Sequence, residues 1–147
     1  MSESTTARRQ LPSYYDATYT GTGIGVHEIK YITENDVMVA QLDVTNTNSV
    51  AQSITVTGSS PLAGTASGSE LTGTVATTNA LTTVHPRFSG DSFSVSGSSL
   101  TRTASIAAGA TGTFKVQLGM LVDEIPTSAS DYQRYRAMTA AQAFTDQ

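Results

Sequence analysis

The feature that most constrains this chain is a two-residue period in its apolar positions, broken at short intervals by glycine, serine and threonine. Between Asp36 and Thr45, Met38, Ala40, Leu42 and Val44 fall on one side of an extended chain, with Val37, Val39, Gln41 and Asp43 on the other. Successive side chains of a strand point to opposite faces, so this pattern predicts a strand. The same period returns at Ile54 and Val56, at Phe93 and Val95, at Leu100, Ala104 and Ile106, and at Phe114, Val116 and Leu118. Weaker strands are expected over 71–75 and 80–85, the second ended by Pro86, which has no N–H to give to a ladder. Turn clusters stand between them: Asn46–Ser49, 58–69, Thr77–Asn79 and Ala108–Gly112. Segment 36–57 reads as a β-hairpin closed at Asn46–Ser49. About eight short strands spaced this way predict an all-β domain, an antiparallel β-sandwich of jelly-roll-like character with a short C-terminal helix. Continuously apolar strands, as in a parallel α/β sheet, are absent.

Composition agrees with strands and turns. The 147 residues include 24 Thr and 18 Ser, and charged residues make up only 14%. Threonine suits a pleated surface, and serine and glycine suit turns. The length fits one domain with a core of its own. There is no cysteine, which excludes disulfides and thiolate metal sites. Between Tyr14 and Thr33 the alternation changes phase, Ile24 and Val26 falling in one register and Ile29 and Tyr31 in the other. With Gly21, Gly23 and Gly25 close by, this predicts a β-bulge.

The chain divides into a polar N-terminal arm (1–13), the sandwich (14–122) and a helical tail (123–147). The tail carries Ser128 as an expected helix N-cap, with Asp131 at the capping-box position. Tyr132, Tyr135, Met138, Ala141 and Phe144 recur every third residue. On a helix that series drifts around the cylinder, so the helix is expected to dock loosely or to touch two surfaces.

Chemistry is sparse. Gly21-Thr22-Gly23-Ile24-Gly25 is glycine-rich, but a phosphate cradle needs a helix to follow, and Val26–Tyr31 reads as a strand. His27 and His85 are the only histidines, and neither shares a strand face with Glu28, Asp36 or Asp43 at ligand spacing. No serine sits in a Gly-x-Ser-x-Gly elbow, and the carboxylates are scattered. The chain is therefore expected to be no enzyme, with no catalytic, cofactor or metal residues. Two lysines against six arginines and a net charge of −4 disfavour nucleic acid. The N-terminus lacks the apolar core of a secretory signal, and no stretch approaches the length of a membrane span. Arg8 and Arg9 lie near Tyr14 and Tyr15, and Arg134 and Arg136 near Tyr132 and Tyr135. Tyr and Arg are enriched at interfaces, so these eight residues are the candidate subunit contacts. Contact of the termini with a membrane surface is a further option.

A chain rich in Thr, Ser, Gly and Ala, with about eight short strands and polar terminal extensions, resembles small virion structural proteins. It is similar in outline to single jelly-roll capsid and penton proteins and to β-sandwich decoration proteins of viral heads. Its lysine-poor, mildly acidic composition points to a virus of a halophilic archaeon. The resemblance implies a homo-oligomer located in the virion and partnered by other virion proteins. A tail, fibre or pilus-like subunit and a carbohydrate- or surface-binding module are the alternatives.

Overall fold

The computed structural model describes residues 1–3, 9–11, 13–76, 83–125 and 127–145. Along them run β1 (Ser2–Glu3), β2 (Arg9–Leu11), β3 (Tyr14–Gly21), β4 (Ile24–Ile32), β5 (Val37–Asn46), β6 (Gln52–Ser59) and β7 (Thr65–Ser67). Then follow β8 (Glu70–Thr72), β9 (Val75–Ala76), β10 (Thr83–Gly90), β11 (Ser94–Ser96), β12 (Ser99–Ile106), β13 (Thr111–Val122), α1 (Ser128–Ala137) and α2 (Ala140–Thr145). Every strand pairing is antiparallel. The all-β sandwich expected from the alternation is what the chain forms. The expected turn at 77–79, the first residues of the strand expected at 80–85, Pro126 and Arg8 lie outside the described residues.

The strands divide unequally. One sheet runs β1-β3-β4-β5-β13-β10-β8-β7, with β2 also on β3 and β9 also on β10; the other is only β11-β12-β6. Between them lies a core of Val26, Val44, Leu71, Phe88, Phe93, Leu100, Ile106 and Phe114. The described parts of the expected N-terminal arm are edge strands of the large sheet.

Segment 36–57 is not a hairpin. β5 pairs with β4 and β13, whereas β6 pairs with β12 in the opposite sheet. The hairpin lies one strand earlier, β4 to β5, turning at 33–36. The residue that sends the chain across is Asn46, wholly buried at 0% exposure. Its Nδ2 donates to the carbonyls of Val50 (2.8 Å), Ile106 (2.9 Å) and Ala107 (3.2 Å). Its Oδ1 accepts from Asn48 N at 2.9 Å. Its backbone N–H donates to Ala110 O, and its carbonyl accepts from Gly109 N, both at 2.9 Å. One side chain thus ties the outgoing arch at 47–51 to the returning arch at 107–110.

The expected bulge is also absent. β4 keeps one register with β3 from Ile24 to Tyr31 and one with β5 from Ile24 to Ile32. The phase change arises because the strand meets apolar neighbours on both faces. Ile24 and Val26 face the small sheet, while Ile29 and Tyr31 face the layer that holds α1. Of the three glycines, Gly23 supplies the turn from β3 to β4, with φ of 75°.

The tail packs against this second face. Tyr132 and Tyr135 are both 0% exposed, clustered with Tyr31, Val37, Val39 and Leu121. The Tyr132 ring lies so close to the backbone that a Cβ on Gly119 would stand 2.4 Å from its Cδ2. The helix is capped at Thr127, not Ser128, and the Thr127 side chain makes no capping bond. Instead Lys115, reaching up from β13, donates its Nζ to the carbonyls of Tyr135 and Arg136 (both 2.9 Å) and of Met138. An ammonium there meets the orphan carbonyls and the negative end of the helix dipole. The expected single helix is two, because Met138 is extended. Thr139 then restarts it with a capping box, its Oγ1 accepting from Gln142 N while Gln142 Oε1 accepts from Thr139 N.

Two outcomes follow from this packing. Asn46→Ala strips a donor from three carbonyls at the buried corner and should cost about 2–4 kcal/mol in urea unfolding. An unchanged midpoint would show that the arches hold without it. The second concerns alkali. Burial pushes the Tyr31 hydroxyl up to about 12 from its usual 10, and burial also raises that of Tyr132. A raised folded pKa stabilises below the unfolded value and is lost as pH climbs through the folded one. Burial lowers Lys115 and acts in the opposite sense up to its usual 10.5, so the loss shows above that pH. Stability should therefore not fall before about pH 10, and should drop by about 1.5 kcal/mol between pH 10.5 and 12 through Tyr31 alone. Urea unfolding combined with tyrosinate absorbance checks this.

Candidate functional site

The eight residues expected at a subunit interface separate into two groups. Those of the tail turn inward. Tyr132 donates to or accepts from Ser89 Oγ at 2.5 Å, and the Arg87 guanidinium lies 5.0 Å from its ring centroid. Tyr135 OH accepts from Asn35 Nδ2 and Arg134 NH2, both at 3.2 Å. Arg136 and Arg87 converge on Glu70, a buried carboxylate, at 2.5 Å each. Tyr132 and Tyr135 are therefore core residues, and the expectation of partner contact is corrected for these two; Arg136 joins helix to sheet while keeping 30% of its side chain exposed. The every-third spacing of the two tyrosines puts both rings on the docked face of a short helix, where the core takes them. Arg134 stays partly exposed, its guanidinium 4.8 Å from the Tyr135 ring centroid.

The described N-terminal residues, Arg9, Tyr14 and Tyr15, stay at the surface. β2 is exposed along its whole length, with Arg9 5.9 Å from the Tyr14 ring centroid. Tyr14 and Tyr15 are half-buried. Leu11, Ile32 and Met38, exposed at 47%, 47% and 40%, surround one recess of about 190 Å³ with both tyrosines.

Neither histidine lines this recess. His27 Nε2 lies 2.8 Å from Asp16 Oδ1, and its Nδ1 3.9 Å from Asp43 Oδ2. These partners come from the strands on either side, which spacing within one strand does not reveal. Thr113 and Gln41 donate to Asp43, and Tyr14 OH donates to Asp16. The carboxylates are thus held by protein donors, and among the described residues no group of three or more His, Asp or Glu is arranged to hold a metal ion. His85 pairs with exposed Asp123 at 3.3 Å.

A cavity follows from the unequal sheets. The three-stranded sheet leaves the inner face of β3 and β4 uncovered beyond β6. The result is a trough of about 450 Å³, floored by Tyr19, Ile24, Val26, Leu42 and Val44 and walled by Ile54, Thr55 and Val56. A second recess of about 160 Å³ shares Glu28, Leu42 and Val56 with it and runs on to Gly58 and Phe114.

Polar groups gather at one side of the trough. Tyr15, Ala17 and Tyr19 share a face of β3, opposite Lys30, Glu28 and Val26 of β4. Fully buried Ala17 leaves room between the two rings. Tyr15 OH and Tyr19 OH are 2.9 Å apart, Tyr19 OH donates to Glu28 Oε2 at 2.8 Å, and Lys30 Nζ lies 2.9 Å from Glu28 Oε1. Lys30 Nζ also stands 5.3 Å from the Tyr15 ring centroid. The Tyr19 hydroxyl is held well above its usual pKa, first by the bond to Tyr15, then by burial and Glu28. It therefore stays a protonated donor. Sequence reasoning missed Tyr19, Glu28, Lys30, Ile54 and Val56. The available signals were the shared parity of Tyr15 and Tyr19, and a run from Val44 to Ser69 with no charged residue.

No helix among the described residues is long and apolar enough to cross a membrane. No protein-family model matches the chain. A solved structure, "Putative kojibiose phosphorylase from human microbiome", is similar in fold, with a TM-score of 0.64 over 90% of this chain at 11% identity. The match spans 22% of that longer chain, and at this identity the likeness is one of fold alone.

Proposed function

We propose that this chain is a structural subunit of a virion, a capsid, penton or head-decoration protein without catalytic activity. It works by self-association and by contact with neighbouring subunits. The observation that carries this reading is the apolar flank where Leu11, Ile32 and Met38 meet, bordered by Arg9, Tyr14, Tyr15 and Lys30. Exposed apolar patches with polar rims are where proteins meet partners, and Tyr and Arg are favoured there. The virion and the halophilic archaeal host rest on the sequence resemblance and on the lysine-poor, hydroxyl-rich composition. The same flank serves a tail or filament subunit if the contact is heterologous and does not close.

A second reading, a carbohydrate- or surface-binding module, is favoured by the Tyr15–Tyr19–Glu28–Lys30 cluster. It offers aromatic faces, hydroxyls, a carboxylate and an ammonium at the trough. The protein of similar fold is named a phosphorylase of kojibiose.

Sedimentation velocity over a concentration series tests the first reading. The intact chain should self-associate, and the triple variant Leu11→Ser, Ile32→Thr, Met38→Thr should weaken association at least about tenfold with its circular dichroism unchanged. An intact chain that stays monomeric at every concentration and binds on a glycan array would favour the second reading. Deleting 128–147 is not a clean test, because it uncovers Tyr31, Val37, Val39 and Leu121.

A further inference from the structure

We infer that the trough beside β6 is a strand-acceptor site. It takes an uncharged extended segment of another polypeptide, apolar at alternate positions, as a fourth strand of the small sheet. The inference deepens the assembly reading and rests on it for the existence of a partner.

The first ground is β6 itself. It pairs with β12 at every residue from Gln52 to Ser59, and its other edge borders the trough with no strand beside it among the described residues. Eight residues present about 26 Å of backbone. Edge strands are normally guarded by charge, proline or a bulge. β6 reads Gln-Ser-Ile-Thr-Val-Thr-Gly-Ser, and no charged residue occurs anywhere between Val44 and Ser69. Its inward residues Ile54 and Val56 are only half-buried, because one flank of each is bare. A neighbouring strand would complete both their burial and the free backbone edge.

The second ground is the chemistry of the trough, which selects the occupant. Apart from the Glu28–Lys30 pair, whose charges cancel, the lining is apolar or hydroxylic. A charged strand would be desolvated here without a counterion, and an uncharged one would not. Among the described terminal residues Met1 reaches the trough, with an apolar side chain that lies beside Gly21. The rest of the N-terminal segment is unsuitable, since Glu3 and Arg9 would bring charge. A second copy offering its own β6 edge-on, face to face in one sheet, is excluded by shape. Both copies project β4, β3 and β1 beyond β6 in the large-sheet layer, and the two ledges would occupy the same space. The β6 edge of a second copy is therefore not the donor, and the occupant inferred is a segment of a different polypeptide.

The probe is an acetylated, amidated, fluorescently labelled peptide of eight alternating Val and Thr residues carrying ¹³C carbonyls, added to the full chain below its self-association concentration. Anisotropy should report saturable binding, and isotope-edited infrared should move the ¹³C band to the position of a paired strand. A central proline in the peptide, or Val56→Lys in a chain with unchanged circular dichroism, should each weaken binding at least tenfold. Absence of binding, binding without the strand band, or equal binding by the proline peptide or by the Val56→Lys chain would each overturn the inference. The variant lacking Leu11, Ile32 and Met38 separates the two proposals. Peptide binding by a chain that never self-associates keeps the strand site and removes the assembly reading. Self-association without peptide binding does the reverse.

Discussion

The architecture depends on one buried amide. Asn46 ends β5 at the point where the chain leaves the large sheet, and every polar atom it has is engaged across two arches. A buried side chain with unmet hydrogen-bonding groups is costly, so the corner is stable only when the arches at 47–51 and 107–110 close on it together. That closure commits β6 and β12 to the opposite layer and brings β13 back between β5 and β10. The small sheet receives three strands, too few to cover the large one. The uncovered ledge of β3 and β4, the trough and the free edge of β6 are consequences of where this one crossing occurs.

The centre of the large sheet is buried on both sides. Its inner face meets the small sheet, and its outer face meets α1. β13 shows the result in its sequence, where Phe114, Val116 and Leu118 face the sandwich while Lys115, Gln117 and Leu121 face the helix. The helix has little apolar surface of its own beyond two tyrosines. It is held by groups that anchor its backbone and ends: Gln117 Nε2 donates to Tyr132 O at 2.8 Å, Lys115 closes the C-terminus, and Glu70 joins Arg87 to Arg136. One of only two lysines in the chain is used here. The tail therefore belongs to the folded body.

Much of this was legible in the sequence, for a definite reason. Strand alternation is local, so the faces of β5, the β13 core residues and the antiparallel class could be read directly. Partnership is not local. Asn46–Ser49 has the composition of a hairpin turn, and nothing in those four residues says that the amide of Asn46 will meet carbonyls sixty residues away. The phase change at Ile29 was real but had two explanations, a bulge or two buried faces, and only the position of α1 decides. Tyr132 and Tyr135 carry an interface composition, and a core tyrosine near arginine looks the same until Gly119 is found beneath it. The trough was illegible for the same reason, since it is made by what the small sheet fails to cover.

Residue-resolved amide exchange on the isolated chain tests the account most directly. The side-chain amide protons of Asn46 should exchange far more slowly than those of Asn48, and along β6 only alternate residues, those whose N–H points to β12, should be protected. Fast exchange at the Asn46 side chain would mean that the arches are not closed on it. Uniform protection along β6 would mean that its outer edge is already covered, and the open flank on which the account turns would not exist.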